Sequence, residues 1–108
     1  MRIPPIVDKH LTVAELTSMK YDELRGLVRD AVCRFAEGAI GNLVVVKPAH
    51  IAYMLHIDGC RGSKECRLSP IVTSLLSHIL LDLGAVRRER SRVYYVFTRE
   101  QVRELCRS

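Results

Sequence analysis

The sequence contains no apolar run that approaches the roughly 20 residues of a membrane-spanning helix, so we expect no contact with a membrane. Its first residues, 1–5, lack the apolar stretch of a signal peptide, and we expect a cytoplasmic protein. The chain also contains no internal repeat, linker or low-complexity segment. Residues 1–108 are therefore expected to form one domain, which with 48% hydrophobic residues can bury a small core.

Motifs that mark an active site are missing as well. No Ser/His/Asp or Cys/His set has a recognisable spacing, and no glycine-rich phosphate loop is present. The carboxylates are scattered among basic residues. His10 and His50 lie near the predicted starts of elements, while His56 and His78 lie beside apolar residues, where a half-buried imidazole is common. We expect neither an enzyme nor a bound cofactor or metal.

Amide side chains are nearly absent, with one Asn and one Gln against thirteen Arg and four Lys. Amides are thermolabile, and this composition is typical of heat-adapted prokaryotic proteins, archaeal ones among them. The composition matters for the four cysteines. Most cytosols keep thiols reduced, whereas those of hyperthermophiles tolerate disulfides.

The net charge of +5 is confined to the second half of the chain. Residues 1–46 carry six basic and six acidic side chains, whereas residues 47–108 carry eleven basic and six acidic ones. Within that half the basic residues concentrate in two segments, 61–67 and 87–92. Such clustering indicates a polyanionic partner, the alternative being an ordinary soluble surface of mixed charge.

Apolar periodicity predicts two helices separated by a short strand in the first half of the chain. A helix from about Lys20 to Glu37 has apolar residues at spacings of three and four along one face. Leu43–Val46 is a β-branched strand. Pro48 suits the first turn of a second helix, which we expect to continue to Gly59.

Capping-box patterns predict a short helix near each end of the chain. Thr12 with Glu15 marks a short helix within an N-terminal extension, residues 1–19. Thr98 with Gln101 marks the start of the last helix. The residues that this last helix is expected to bury are Val102, Leu105 and Cys106.

The final third of the chain has the pattern of a helix, a basic hairpin and a helix. Ser69 is a good N-cap and Pro70 a good first residue for a third helix, residues 69–83. Gly84 is placed as the left-handed residue that closes it. An arginine-rich hairpin, residues 85–97, follows and ends in a β-rich strand.

The predicted order, helix-strand-helix-helix-strand-strand-helix, resembles the winged helix-turn-helix superfamily of DNA-binding proteins over residues 20–108. The resemblance also rests on a local pattern: a helix ending in Leu80-Leu81-Asp82-Leu83-Gly84-Ala85-Val86, a basic tip, and Val93-Tyr94-Tyr95-Val96. It implies an α+β fold in which the third helix enters the major groove of duplex DNA and the hairpin, the wing, follows the backbone. The loop at residues 60–67 is about twice the length of a tight helix-turn-helix connection.

This resemblance assigns DNA contacts to the polar face of the third helix, which we expect to be exposed to solvent. The residues on or beside that face that can reach base edges or phosphates are Ser69, Thr73, Ser74, Ser77 and His78. Because none of them can make the bidentate contacts of Arg, Asn or Gln, we expect modest sequence specificity. The alternative is that they are solvated residues of a structural helix.

Basic residues of the wing and of two flanking segments are the predicted backbone contacts. Those of the wing are Arg87, Arg88, Arg90 and Arg92. Those that precede the third helix are Lys47, Arg61, Lys64 and Arg67. A simpler interpretation of the wing is a solvated hairpin tip in which Glu89 acts as the local counter-ion.

The function that follows is a DNA-binding transcriptional regulator acting on double-stranded DNA. Such regulators commonly form homodimers, and the amphipathic first helix with the N-terminal segment is the candidate interface. The alternative is a winged-helix protein–protein interaction module, which would expose an apolar patch on the third helix or the wing. Leu81, Tyr94 and Tyr95 are the residues that favour this alternative.

The cysteines leave several pairings open. Cys60 and Cys66 enclose a short polar loop and are expected to form a disulfide. The other possibilities are a zinc site that includes His56 or His50, although the usual close ligand pair is missing, and two free thiols. Cys33 and Cys106, on the first and last long helices, are either core residues or a second bridge.

If the disulfide prediction is correct, protein purified without reductant will contain a Cys60–Cys66 pair that resists alkylation. Mass spectrometry of the alkylated and digested protein, with and without prior reduction, measures this directly. Alkylation of Cys60 and Cys66 without reduction would contradict it, and zinc found by elemental analysis would favour the metal site.

Overall fold

The computed structural model describes residues 12–55, 57 and 69–107 of the chain. From the second helix onward the order is helix-strand-helix-helix-strand-strand-helix, as the sequence predicts, and the fold is α+β. The elements of this part of the chain are α1 Val13–Ser18, α2 Tyr21–Glu37, β1 Leu43–Val46, α3 Pro48–Met54, α4 Pro70–Asp82, β2 Val86–Glu89, β3 Val93–Thr98 and α5 Arg99–Leu105.

The three strands form an antiparallel sheet in the order β1-β3-β2, with β3 in the centre. Tyr95 of β3 pairs with Val46 on one side and with Arg87 on the other. Side chains alternate between the two faces of a strand, so these three residues share one face. Tyr95 and Val46 are buried there, and we call this the inner face.

The inner face of the sheet packs against the helices. Val44, Val46, Tyr95 and Phe97 are buried, together with the apolar sides of α2, α3 and α4. On the outer face Val96 pairs with Val45 and Val86, both of which are exposed. The sheet is thus packed on one side only, as antiparallel sheets commonly are.

Helix α4 is closed at both ends by the residues that the sequence predicts. The Ser69 hydroxyl accepts a hydrogen bond from the Val72 N–H at 3.3 Å, and Pro70 is the first helical residue. At the other end Gly84 adopts a φ of 108°, which lets the Gly84 N–H donate to the Leu81 carbonyl and the Ala85 N–H donate to the Leu80 carbonyl. This pair of hydrogen bonds is the Schellman motif, and the chain continues from it directly into β2.

Helix α3 is shorter than predicted, ending at Met54 instead of continuing to Gly59. The Ile57 N–H donates to the Ala52 carbonyl at 2.9 Å, and the Ile57 side chain is fully buried. Burial of Ile57 therefore competes with a further helical turn. Leu55 is the C-cap of α3, so the chain leaves the helix there.

Arg99, the first residue of α5, holds the end of α2 in place. Its guanidinium donates to the carbonyl oxygens of Ala36 at 3.2 Å, Ala39 at 3.0 Å and Gly41 at 2.7 Å. Its own N–H donates to the Asn42 carbonyl at 2.9 Å. The Ala36 carbonyl also accepts from the Ala39 N–H at 3.1 Å, so Arg99 matters most for the carbonyls of Ala39 and Gly41 in the turn after α2.

A disulfide joins α2 to the end of α5. It links Cys33 and Cys106, whose Cα atoms are 5.9 Å apart, across a sequence separation of 73. Of the two possibilities left open by the sequence, the second bridge is confirmed. Cys106 is exposed, so the prediction that α5 buries it is wrong, whereas Val102 is buried. Closing so long a loop stabilises the fold by about 4 kcal/mol in the chain-entropy model.

The predicted Cys60–Cys66 bridge and its zinc alternative, with His56, lie outside the described residues. In the part of the chain that the structure describes, no three His, Cys, Asp or Glu side chains are grouped closely enough to hold a metal ion. No described helix is long and apolar enough to cross a membrane.

Replacement of Arg99 by Ala should lower the free energy of unfolding by about 1–3 kcal/mol, because the Ala39 and Gly41 carbonyls in the turn after α2 lose their donor. Urea unfolding followed by circular dichroism measures the change. Arg103→Ala is the matched control, since Arg103 is exposed on the same helix and its replacement should cost less than about 0.5 kcal/mol. Equal effects of the two substitutions would contradict the capping role of Arg99.

Candidate functional site

A groove of about 740 Å³ lies where the start of α3, the polar face of α4 and the β2–β3 hairpin meet. Its lining contains seven of the residues that the sequence predicts as DNA contacts: Lys47, Thr73, Ser74, Ser77, His78, Arg87 and Arg92. Three of the seven are Lys or Arg, and none of the described residues that line the groove is a carboxylate. Separate parts of the chain thus converge on one basic surface.

The wall formed by α4 is only partly as predicted. Four predicted contacts of α4 line the groove, and of these Ser74 and His78 are exposed. Thr73 and Ser77 are half-buried because each directly follows a buried apolar residue of α4 and lies at the edge of its packed face. The Thr73 hydroxyl donates to the Ser69 carbonyl at 3.2 Å, and the Ser69 hydroxyl caps the helix. On the same wall, the hydroxyls of Ser74 and Ser77 donate to no described residue.

The basic side chains of the groove lie in a strand of the sheet or directly beside one. Lys47 follows β1 directly and is the N-cap of α3. Arg87 lies opposite Tyr95 on the inner face, and its guanidinium is 3.6 Å from the Glu89 carboxylate. Glu89 is therefore a local counter-ion of Arg87, and among the described residues it pairs with no other wing arginine. At exposed positions such a pair contributes little, so a phosphate can compete for Arg87.

Two of the four wing arginines do not line the groove. Arg88 pairs with Tyr94, which places it on the outer face of the sheet. Arg90 lies in the turn, where its N–H donates to the Arg92 carbonyl at 3.2 Å. The alternation of a strand thus divides a cluster that is continuous in sequence. Arg61, Lys64 and Arg67 lie outside the described residues.

His50 fixes the backbone at Lys47. Its Nδ1 accepts a hydrogen bond from the Lys47 N–H at 3.2 Å, and its ring stacks on Phe35 with centroids 4.8 Å apart. Burial of the imidazole, with a smaller effect of the Lys47 charge, lowers the pKa of His50. An imidazole that accepts at Nδ1 must be neutral at that nitrogen, which agrees with this direction.

A carboxylate next to the α4 wall in sequence is already paired. Asp82 follows Leu81, the last α4 residue of the groove, and accepts from the Arg25 guanidinium at 2.8 Å and from the Tyr21 hydroxyl at 3.0 Å. These hydrogen bonds, led by that of Arg25, lower the pKa of Asp82. The ring of Tyr21 also meets His78 edge to face, with centroids 6.2 Å apart. A negative charge beside the groove is thus partly neutralised.

Tyr95 is the polar residue of the groove lining that sequence reasoning did not assign to the site. It is only 2% exposed, so it is wrong to count it among the apolar residues of an exposed patch. Its alternation with the buried Phe97 along β3 was the signal that could have found it. Exposed apolar residues occur elsewhere: Ile71 of α4 is 66% exposed and Leu81 is 45% exposed.

Comparison of the chain with protein-family models, with curated proteins and with solved structures found no match.

Because the pKa of His50 is lowered in the folded state, the unfolded chain binds more protons near neutral pH. The stability that neutral His50 contributes is present above its ordinary pKa of 6.5 and is lost as the pH falls below it towards the folded value. Urea unfolding at pH 7.5 and 5.5 should therefore show lower stability at pH 5.5.

His50→Gln is the control for this pH dependence. A Gln at this helix position can still accept from the N-cap N–H but does not titrate. The loss of stability between pH 7.5 and 5.5 should be smaller in this variant than in the wild type. An identical pH dependence in both proteins would show that another group is responsible.

Proposed function

We propose that the chain is a winged helix-turn-helix protein that binds double-stranded DNA and acts as a transcriptional regulator. In this proposal α4 is the reading helix and the β2–β3 hairpin is the wing. The element order and the three-stranded antiparallel sheet are compatible with that fold.

The observation that carries the proposal is the composition of the groove. Lys47 at the start of α3 and Arg87 and Arg92 of the β2–β3 hairpin line the same surface as the hydroxyls of α4. No carboxylate is among the described residues of that lining. A surface that concentrates positive charge and hydrogen-bond donors is complementary to a phosphate backbone, which contributes much of the affinity of DNA-binding proteins.

The exposed side of α4 sets the expected specificity. Ser74 and His78 can reach base edges, and the exposed Leu81 can contact a thymine methyl group. None of the three makes the bidentate contacts that discriminate strongly among bases. We therefore expect a protein whose affinity comes mainly from phosphate contacts and whose sequence preference is modest.

A homodimer remains part of the proposal. The apolar side of α2, the predicted interface, is used within the chain's own core, where Leu24, Val28 and Val32 are buried. Any contact through α2 would therefore use its charged, exposed side. The N-terminal segment that was predicted to join it lies outside the described residues.

Exposed apolar residues favour a second candidate, a protein–protein interaction module. Ile71 and Leu81 lie at opposite ends of α4, and Val45 and Val86 are exposed on the outer face of the sheet. These positions are on different surfaces, whereas the basic residues converge on one. The DNA-binding proposal is therefore the better supported of the two.

The proposal predicts different effects of two double substitutions that remove the same charge. Arg87→Ala with Arg92→Ala removes two groove cations. It should weaken binding to a generic duplex and reduce the slope of log K against log salt concentration by up to about 1.8, since each phosphate contact contributes about 0.9. Fluorescence anisotropy titrations at four salt concentrations measure both quantities.

Arg88→Ala with Arg90→Ala is the matched control, because neither residue lines the groove. This variant should bind more tightly than the groove variant and keep a steeper salt dependence. If both pairs have the same effect, the hairpin acts through net charge alone and the groove has no special role. A folded wild-type protein that does not bind duplex DNA would favour the interaction module.

A further inference from the structure

The hydroxyl of Tyr95 has no hydrogen-bond partner among the described residues, although the side chain is 98% buried and lines the groove. Buried tyrosine hydroxyls normally find a partner, since losing water without gaining a hydrogen bond is unfavourable. The core of the chain holds no other buried polar side chain in the part that the structure describes. An unpartnered phenol at the groove is thus an exception within this core.

The groups around Tyr95 define what could satisfy it. Arg87 is its neighbour across the strand pair, and Arg92 and Lys47 line the same groove. Ser74 and Ser77 contribute hydroxyls from the facing helix. These groups offer positive charge and donors, and no described lining residue offers a carboxylate. The complementary ligand is an oxyanion with several acceptor oxygens, and phosphate is the chemical class that fits.

We propose that the groove is a phosphate-binding site. In it the Tyr95 hydroxyl donates to a phosphoryl oxygen, while Lys47, Arg87 and Arg92 supply positive charge. The inference rests on the proposed function in taking the phosphate from the backbone of duplex DNA. A free phosphate group of a small molecule has the same chemistry and is the other source. Tyr95 would fix where the phosphate lies, and the cations would provide long-range attraction.

A neutral donor leaves a signature that the cations do not. Tyr95 carries no charge, so it releases no counterion from DNA, whereas each Lys or Arg contact contributes to the salt slope. Loss of the Tyr95 hydroxyl should therefore change affinity and leave the slope of log K against log salt unchanged. Loss of a groove arginine should change both.

The test compares Tyr95→Phe with Tyr94→Phe. The two substitutions remove the same atom from adjacent residues, but Tyr94 lies on the outer face of the sheet, away from the groove. Anisotropy titrations with a generic duplex should show binding to Tyr95→Phe weakened roughly tenfold, the size expected for a lost hydrogen bond to a charged group. The salt slope should be that of the wild type, and Tyr94→Phe should bind like the wild type.

Thermal unfolding supplies a readout that does not depend on DNA. If the Tyr95 hydroxyl has no partner in the free protein, Tyr95→Phe will unfold at the wild-type temperature or above it. A lower unfolding temperature would show that the hydroxyl is satisfied within the protein, and this would overturn the proposal. Unchanged DNA affinity in Tyr95→Phe, in a wild type that does bind, would also overturn it and leave the DNA-binding function standing.

A calorimetric titration with inorganic pyrophosphate separates the two sources of phosphate. If the wild type binds pyrophosphate but not duplex DNA, and Tyr95→Phe weakens that binding, the phosphate-binding site is supported and the DNA-binding function is refuted. If the wild type binds both ligands and Tyr95→Phe weakens both, the site is supported with DNA as its ligand. A wild type that binds neither would overturn both the phosphate-binding site and the DNA-binding function.

Discussion

Tyr95 pairs with Val46 on one side and with Arg87 on the other, so one row of residues crosses all three strands. This row joins segments that are distant in sequence, and it places Lys47, the residue after Val46, near the same groove as Arg87. A shift of the pairing by one residue would turn Arg87 to the outer face and Tyr95 out of the core. The groove therefore depends on this register more than on any single charge.

The basic residues of the chain have two different roles, and net charge alone does not separate them. Arg99 is held by the carbonyls after α2, and Arg25 is paired with Asp82. Arg92 lies in the groove, and no other described residue forms an ion pair with it. Among the described residues, the basic surface of the groove thus contains fewer cations than the net charge of the chain suggests.

Local signals predicted most elements, because caps and periodicity act over a few residues. Ser69 and Gly84 close α4 through hydrogen bonds to residues at most five positions away, and both were identified from the sequence. The end of α3 was not, because it depends on the burial of Ile57 in a core to which distant helices and strands contribute. Helix boundaries that respond to such packing cannot be inferred from a short window of sequence.

The sequence by itself determined the order of the elements and the position of the segments rich in basic residues, since both follow from local composition and spacing. Only the tertiary structure decided which of four cysteines pair as Cys33–Cys106, which wing arginines face the groove, and that Tyr95 is buried beside it. Each of these depends on how distant segments meet. Strand alternation and pairing register turn neighbouring residues such as Arg87 and Arg88 to opposite faces, and that choice is made by the core against which the sheet packs.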